Sequence, residues 1–189
     1  VTVICGPSGN GKSSLINILL GLLRPNKGFI TLNNINLAFI ATKAITQIVA
    51  VAPQNPLILN GSLRDNLTFG CKQIPSDESL KEIVYKLELQ MLDKDNESSI
   101  LDYKLGNQNN IVSGGEKQRI ALGRALARKT SIIILDEPTS SLDSEREAKI
   151  IEYIRKQVET IIIVTHRQAI IDKADRIYEI SQGRVNLIK

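Results

Sequence analysis

Gly6-Pro7-Ser8-Gly9-Asn10-Gly11-Lys12-Ser13 follows the apolar run Val1, Thr2, Val3, Ile4, Cys5 and precedes a helical pattern of Leu15, Ile16, Leu19 and Leu20. The order is strand, glycine loop, helix. That context is what a G-x-x-x-x-G-K-[ST] match needs: a buried strand fixes where the loop emerges, and a helix start supplies unpaired backbone donors. Gly6, Gly9 and Gly11 let the backbone turn its N–H groups around a polyphosphate. Lys12 can set an ammonium on the phosphate oxygens, and the Ser13 hydroxyl can ligate Mg²⁺. The partial positive charge of the helix start adds to this. Residues 6–14, ending in Ser14, are therefore the candidate phosphate cradle of a nucleotide.

Outward from the loop, short apolar runs at residues 29–32 and 47–51 read as strands, with Gln54 between Pro53 and Pro56 after the second. From 62 to about 95 the pattern turns helical, with Leu80, Ile83, Val84 and Leu87 at i, i+3, i+4, i+7 and helix starts at Ser62 and Ser76. Residues 96–110 read as loop and 114–128 as a second helix. Strand (131–135), helix (144–158), strand (160–165), a short helix and a last strand (176–180) complete the chain. Almost uniformly apolar strands alternating with helices predict an α/β fold with a mainly parallel sheet covered on both faces.

Ile132, Ile133, Ile134 and Leu135 are followed by Asp136 and Glu137. Two carboxylates thus stand at the C-terminal end of a buried strand, where open parallel sheets hold their ligands. Beside a phosphate loop, the first acid suits the Mg²⁺ shell and the second an attacking water.

Composition narrows the rest. A chain of 189 residues with 42% hydrophobic content can bury one substantial core. Cys5 and Cys71 are too few for a disulfide framework or a metal site, which points to a reducing setting. No apolar run approaches the ~20 residues of a membrane span, so the chain reads as soluble by itself. The formal charge of +4 comes from scattered residues, the pattern of a solvated surface and not of a nucleic-acid face.

The stretch VSGGEKQRIALGRAL, residues 112–126, resembles the signature motif of ATP-binding-cassette (ABC) ATPases. The order of motifs agrees over essentially the whole chain: phosphate loop, Gln54, Ser113-Gly114-Gly115, Asp136-Glu137-Pro138, Ser140-Ser141-Leu142-Asp143, His166. The segment QNPLILNGSLRDN and the C-terminal THR…ADRIYEISQGRV look more like exporters than importers. The resemblance implies a P-loop fold with residues 1–54 and 130–189 as a RecA-like core and 55–129 as a helical subdomain.

It further implies Mg·ATP hydrolysis that drives transport, on a head-to-tail dimer attached to transmembrane domains at the cytoplasmic face of the membrane. Lys12 and Ser13 would hold phosphate and metal, and Asp136 and Gln54 would join Ser13 at the Mg²⁺. Glu137 would orient or deprotonate water, and His166 would be the switch histidine. Ser113, Gly114, Gly115 and Glu116 would contact the γ-phosphate held by the partner, and Asp143 would lie at the dimer interface. Ser113 with Glu116 three residues on is also a capping box, a local role that coexists with the functional one.

Glu116 and Val112 depart mildly from the family's more frequent Gln and Leu. All seven aromatics lie downstream of the phosphate loop, so none takes the family's adenine-stacking position, and the chain reads as part of a longer polypeptide. A soluble ABC ATPase acting on DNA or ribosomes and a non-hydrolysing regulatory cassette are the rival readings. Against the first, only about a hundred residues, without sustained heptads, separate Ser13 from Ser113; against the second, Glu137 and His166 are retained.

Overall fold

The computed structural model describes residues 1–93, 99–106, 112–138 and 143–189. Its elements run β1 (Thr2–Cys5), α1 (Lys12–Leu19), β2 (Thr31–Leu32), β3 (Ile35–Asn36), α2 (Thr42–Ile48), β4 (Val49–Ala52), β5 (Gly61–Ser62), α3 (Leu63–Thr68) and α4 (Asp77–Lys86). They continue with β6 (Lys104–Leu105), α5 (Gly114–Ala127), β7 (Ile132–Asp136), α6 (Ser144–Gln157), β8 (Thr160–Val164), α7 (Gln168–Ile171), β9 (Arg176–Ser181) and β10 (Arg184–Leu187).

Six strands form the main sheet in the order β10-β9-β1-β8-β7-β4. Every neighbouring pair is parallel except β9 with β10. The run of β-branched residues in β7 and β8 suits their place inside the sheet, because such side chains pack well on both sides of a pleated surface. Successive side chains point to opposite faces, and the buried residues divide accordingly. Val3, Ile133, Leu135, Ile161, Ile163 and Ile177 join the larger cluster with residues of α3 to α6. Ile4, Ile134, Val164 and Ile180 join Ile16 of α1 and Ile45 of α2 on the other face.

Helices α3, α4 and α5 pack through Leu63, Leu67, Leu80, Ile83, Leu87, Ile120 and Leu122, all buried. The mid-helix Gly123 makes this approach possible, since a Cβ there would meet Leu67 Cδ2 at 2.6 Å and Ile83 Cγ2 at 3.3 Å. The starts of α3 and α4 are capped by Ser62 and Ser76, as their sequence predicts.

Several local expectations change. The strand expected at 29–32 is only the two-residue β2, paired with β3 in a separate hairpin. Residues 47 and 48 close helix α2, and the strand begins at Val49. The 96–110 loop holds a single helical turn at Ile100–Asp102 and strand β6, which pairs with β5; residues 96–98 and 107–110 lie outside the described residues. Strand β10, not anticipated, extends the sheet edge antiparallel to β9. Among the described residues no helix is long and apolar enough to cross a membrane.

Candidate functional site

The strand order determines what meets at the site. Four adjacent strands, β1, β8, β7 and β4, run parallel, so the segments leaving their C-terminal ends lie in a row. Those segments carry the phosphate loop, His166, Asp136 with Glu137, and Gln54 respectively.

At the first position the loop enters at Gly6, φ +132°, where a Cβ would stand 2.2 Å from the Ile180 carbonyl oxygen of β9. Only glycine fits so close a backbone approach. Gly11 caps α1 in the left-handed region at φ +91° without any side-chain cap, which leaves the first N–H groups of the helix for a ligand. The Lys12 ammonium donates to the carbonyls of Gly6 (2.8 Å) and Pro7 (2.9 Å), which folds it back over the loop. Ser13 and Ser14 are exposed in the first turn of α1.

Glu137 is the hub of the other three. Its Oε1 lies 2.9 Å from His166 Nδ1, and its Oε2 accepts from Gln54 Nε2 at 3.2 Å. Its backbone takes the left-handed φ of +47°, uncommon for a non-glycine residue, and is held there by its N–H donating to the Val164 carbonyl at 2.9 Å. Local strain of this kind persists where the surrounding structure over-determines it. Next to it, Asp136 is half-buried and its carboxyl is pushed above the usual range, first by loss of solvent and then by the neighbouring Glu137 charge, while Lys12 pulls it down. A divalent cation would relieve that like-charge crowding, so the carboxylates fit a magnesium ion with Ser13 as a further oxygen ligand. Among the described residues no three His, Cys, Asp or Glu side chains cluster as a metal cage.

Ser113 stands apart from this row. Its hydroxyl and its N–H both donate to Glu116 Oε2, at 2.6 and 2.8 Å, while the Glu116 N–H donates to Ser113 Oγ at 3.4 Å. The capping box expected from the sequence is complete, and Ser113 and Gly114 are exposed at the start of α5. Among the described residues, no hydrogen bond or ion pair of residues 113–116 reaches the phosphate loop, Gln54, Asp136, Glu137 or His166. Asp143 caps α6 by accepting from the N–H groups of Glu145 (3.1 Å) and Arg146 (2.9 Å), and these bonds hold its carboxyl below the usual range. Ser140, Ser141 and Leu142 lie outside the described residues.

The family model described as ABC transporter matches residues 1–140. The chain belongs to the ABC transporter family. It has the P-loop fold of that family's ATP-binding domains. It is 39% identical over 184 residues to the lactococcin transport/processing ATP-binding protein LcnC-like of Lactococcus lactis, covering 96% of this chain and 25% of that protein. It is 35% identical over 182 residues to the transport/processing ATP-binding protein ComA of Streptococcus pneumoniae, covering 95% of this chain and again 25% of the relative. Among solved structures, a bacterial Atm1-family ABC exporter with ATP bound superposes with a TM-score of 0.86 at 26% identity, over 97% of this chain and 32% of that one. The chain thus spans about a quarter of the length of these curated relatives.

Two supports of this ABC domain's site were not singled out from the sequence. Arg167, next to the histidine, pairs at 2.8 Å with Glu147 of α6, which is only 2% exposed, and its N–H donates to Thr165 Oγ1. These bonds fix the backbone on both sides of His166. Asn66, fully buried in α3, accepts from Leu59 N–H and donates to the Leu59 and Ser62 carbonyls, while Arg124 donates to the Leu57 and Asn66 carbonyls. Together they pin the segment that follows Gln54. A polar residue inside an apolar helical pattern was the available signal at Asn66.

Proposed function

We propose that this chain hydrolyses Mg·ATP in an exporter, with the roles of its residues set by the row of strand ends. The observation that carries the reading is Glu137, gripped by Gln54 and His166 one strand end after another beside the phosphate loop. In this scheme the loop N–H groups and Lys12 bind the β- and γ-phosphates. Ser13 and Asp136, with Gln54 beside them, would hold magnesium, which would supply neutralisation of charge building on the transferred phosphoryl group. Glu137 accepts a proton from, or orients, the attacking water, and its two hydrogen bonds hold the carboxylate at one angle. His166, bound to Glu137 through Nδ1, keeps Nε2 for the γ-phosphate.

Ser113, Gly114, Gly115 and Glu116 are proposed to complete the site of a second copy, because the exposed start of α5 offers donors to an anion and, among the described residues, makes no hydrogen bond or ion pair with its own chain's loop. Asp143 lies at that same head-to-tail interface. Residues 1–54 and 130–189 serve as the core and 55–129 as the helical subdomain that carries the signature. Transmembrane domains at the cytoplasmic face of the membrane would convert closure and reopening of the pair into movement of a substrate. Support for this comes from the transport names of the curated relatives and the exporter named in the solved structure. The test is a Glu137→Gln variant assayed for both Mg·ATP binding and phosphate release: retained binding with hydrolysis reduced is expected, and near-normal release removes Glu137 from the role.

A further inference from the structure

At the opposite end of the sheet, a cavity of about 560 Å³ is lined by Lys43, Thr46 and Gln47 of α2, Gly70, Lys72 and Gln73 of the segment after α3, and residues 127–130 at the end of α5. The first and last of these segments precede the N-terminal ends of β4 and β7, whereas Gln54 and Glu137 follow the C-terminal ends of the same strands. Four to five residues at ~3.3 Å each put about 15 Å of strand between the two places. The cavity is therefore no part of the ATP site.

Its charge is one-sided. Lys43, Lys72, Arg128 and Lys129 line it, and no carboxylate does. None of the four is in an ion pair among the described residues, although many of the chain's other cations are: Arg64, Arg146, Lys149, Arg155, Lys156 and Arg167 all have acidic partners. The sequence supplies no neutralising neighbour from the first half of the lining, since the first acidic residue of the whole chain is Asp65. Helix polarity explains only part of the cluster. Arg128 and Lys129 suit the negative end of α5, but Lys43 lies in the first turn of α2, where the dipole disfavours a cation.

The cations are also placed. Arg128 donates to the Thr46 carbonyl, which ties the end of α5 to α2 across the cavity. Lys129 takes a left-handed φ of +50° with its N–H donating to the Leu126 carbonyl, so the chain turns and leaves its side chain at the rim. Cations lining one cavity without a carboxylate give it a positive potential that favours an anion among them.

We propose that this cleft is a second anion site, separate from the ATP site, that takes a phosphate-bearing group. A guanidinium and three ammonium groups around one cavity match the several oxygens of a phosphate better than the flat edge of a single carboxylate. The phosphate can come from a soluble phosphorylated compound or from an anionic phospholipid headgroup.

Two arms of one experiment separate these sources. In the first, the ¹⁵N-labelled chain is titrated with inorganic pyrophosphate at constant ionic strength, and the amides of Gly70, Lys72 and Lys129 are followed apart from those of the phosphate loop. Saturable shifts at the cleft are expected, with affinity falling by about tenfold or more in Lys43→Glu/Lys72→Glu, the loss of charge-assisted contacts. Both lysines are exposed, so the fold should survive; the neutral Lys43→Gln/Lys72→Gln pair should weaken binding by an intermediate factor. In the second arm, phosphatidylcholine vesicles with and without phosphatidic acid are sedimented with the wild-type chain and the charge-reversed pair. Retention by phosphatidic acid that the pair abolishes assigns the site to a lipid headgroup; cleft shifts without such retention assign it to a soluble phosphate. Shifts that rise linearly without saturation and are unchanged in both variants, together with vesicle retention that the pair leaves unaltered, would overturn the proposal.

Discussion

Glu137 and Ser113 make opposite use of their hydrogen bonds. The Glu137 carboxylate is held by side chains from two other strand ends, 83 and 29 residues away in sequence, so its position is set by the tertiary fold of one chain. Among the described residues the Ser113 side chain bonds to Glu116, three residues on, and Ser113 is exposed. One region is tied together across strand ends of the chain, and the other is a locally capped, exposed helix start. In the proposed scheme this difference separates a hydrolytic half-site from its complement.

The comparison is broken most severely at the half tied across strand ends. Glu137→Gln is expected to lower turnover by roughly 10² or more while Mg·ATP still binds, read by parallel binding and phosphate-release assays. His166→Ala removes one of the two grips on that carboxylate and should lower turnover by roughly tenfold or more, the value of one charge-assisted hydrogen bond. Its KM should hardly move if the histidine acts on the chemical step.

Effects read on stability sharpen the contrast. Asp136→Asn should abolish magnesium-dependent hydrolysis yet raise the metal-free melting midpoint by roughly 2 °C, because it removes a desolvated charge that faces Glu137. The sign follows from the direction of the shift. A carboxyl whose folded value is raised gives stability that is present below its unfolded value and lost as pH rises through the folded one. Lowering the pH toward the acid range should therefore narrow the gap between Asp136→Asn and the parent, as followed by thermal melts across pH. At the exposed helix start, Glu116→Gln keeps an acceptor for the Ser113 N–H and hydroxyl, so the cap survives. Only its charge next to the helix start is lost, and unfolding should change by less than about 1 kcal/mol, measured by denaturant titration.

How far the sequence shows this division depends on range. The phosphate loop, the capped start at Ser113 and the strand ending in Asp136 and Glu137 are local patterns, and each was legible from its own neighbours. The fold class followed from the apolar strands alternating with helices. Helix α2 was not legible: Ala41 offers no side-chain cap, the helix is short, and its isoleucines run straight into β4. Nor could the meeting of Gln54, His166 and Glu137 be derived from residues alone, since it depends on β4, β7 and β8 lying side by side, and sheet order is not written in any one segment. For the same reason Arg167 passed unnoticed, because its partner Glu147 belongs to another element.

The claim that Ser113 serves another copy's site is tested most directly by mixing two inactive variants, Lys12→Ala and Ser113→Glu, each in the full-length protein. In a head-to-tail pair, the mixed dimer keeps one site with an intact phosphate loop from one chain and an intact signature from the other. With random pairing and independent sites, about a quarter of the sites are then whole, and about that share of the parent ATPase rate should return. Mixtures that stay as inactive as either variant alone, while mixed dimers are shown to form, would contradict the composite site.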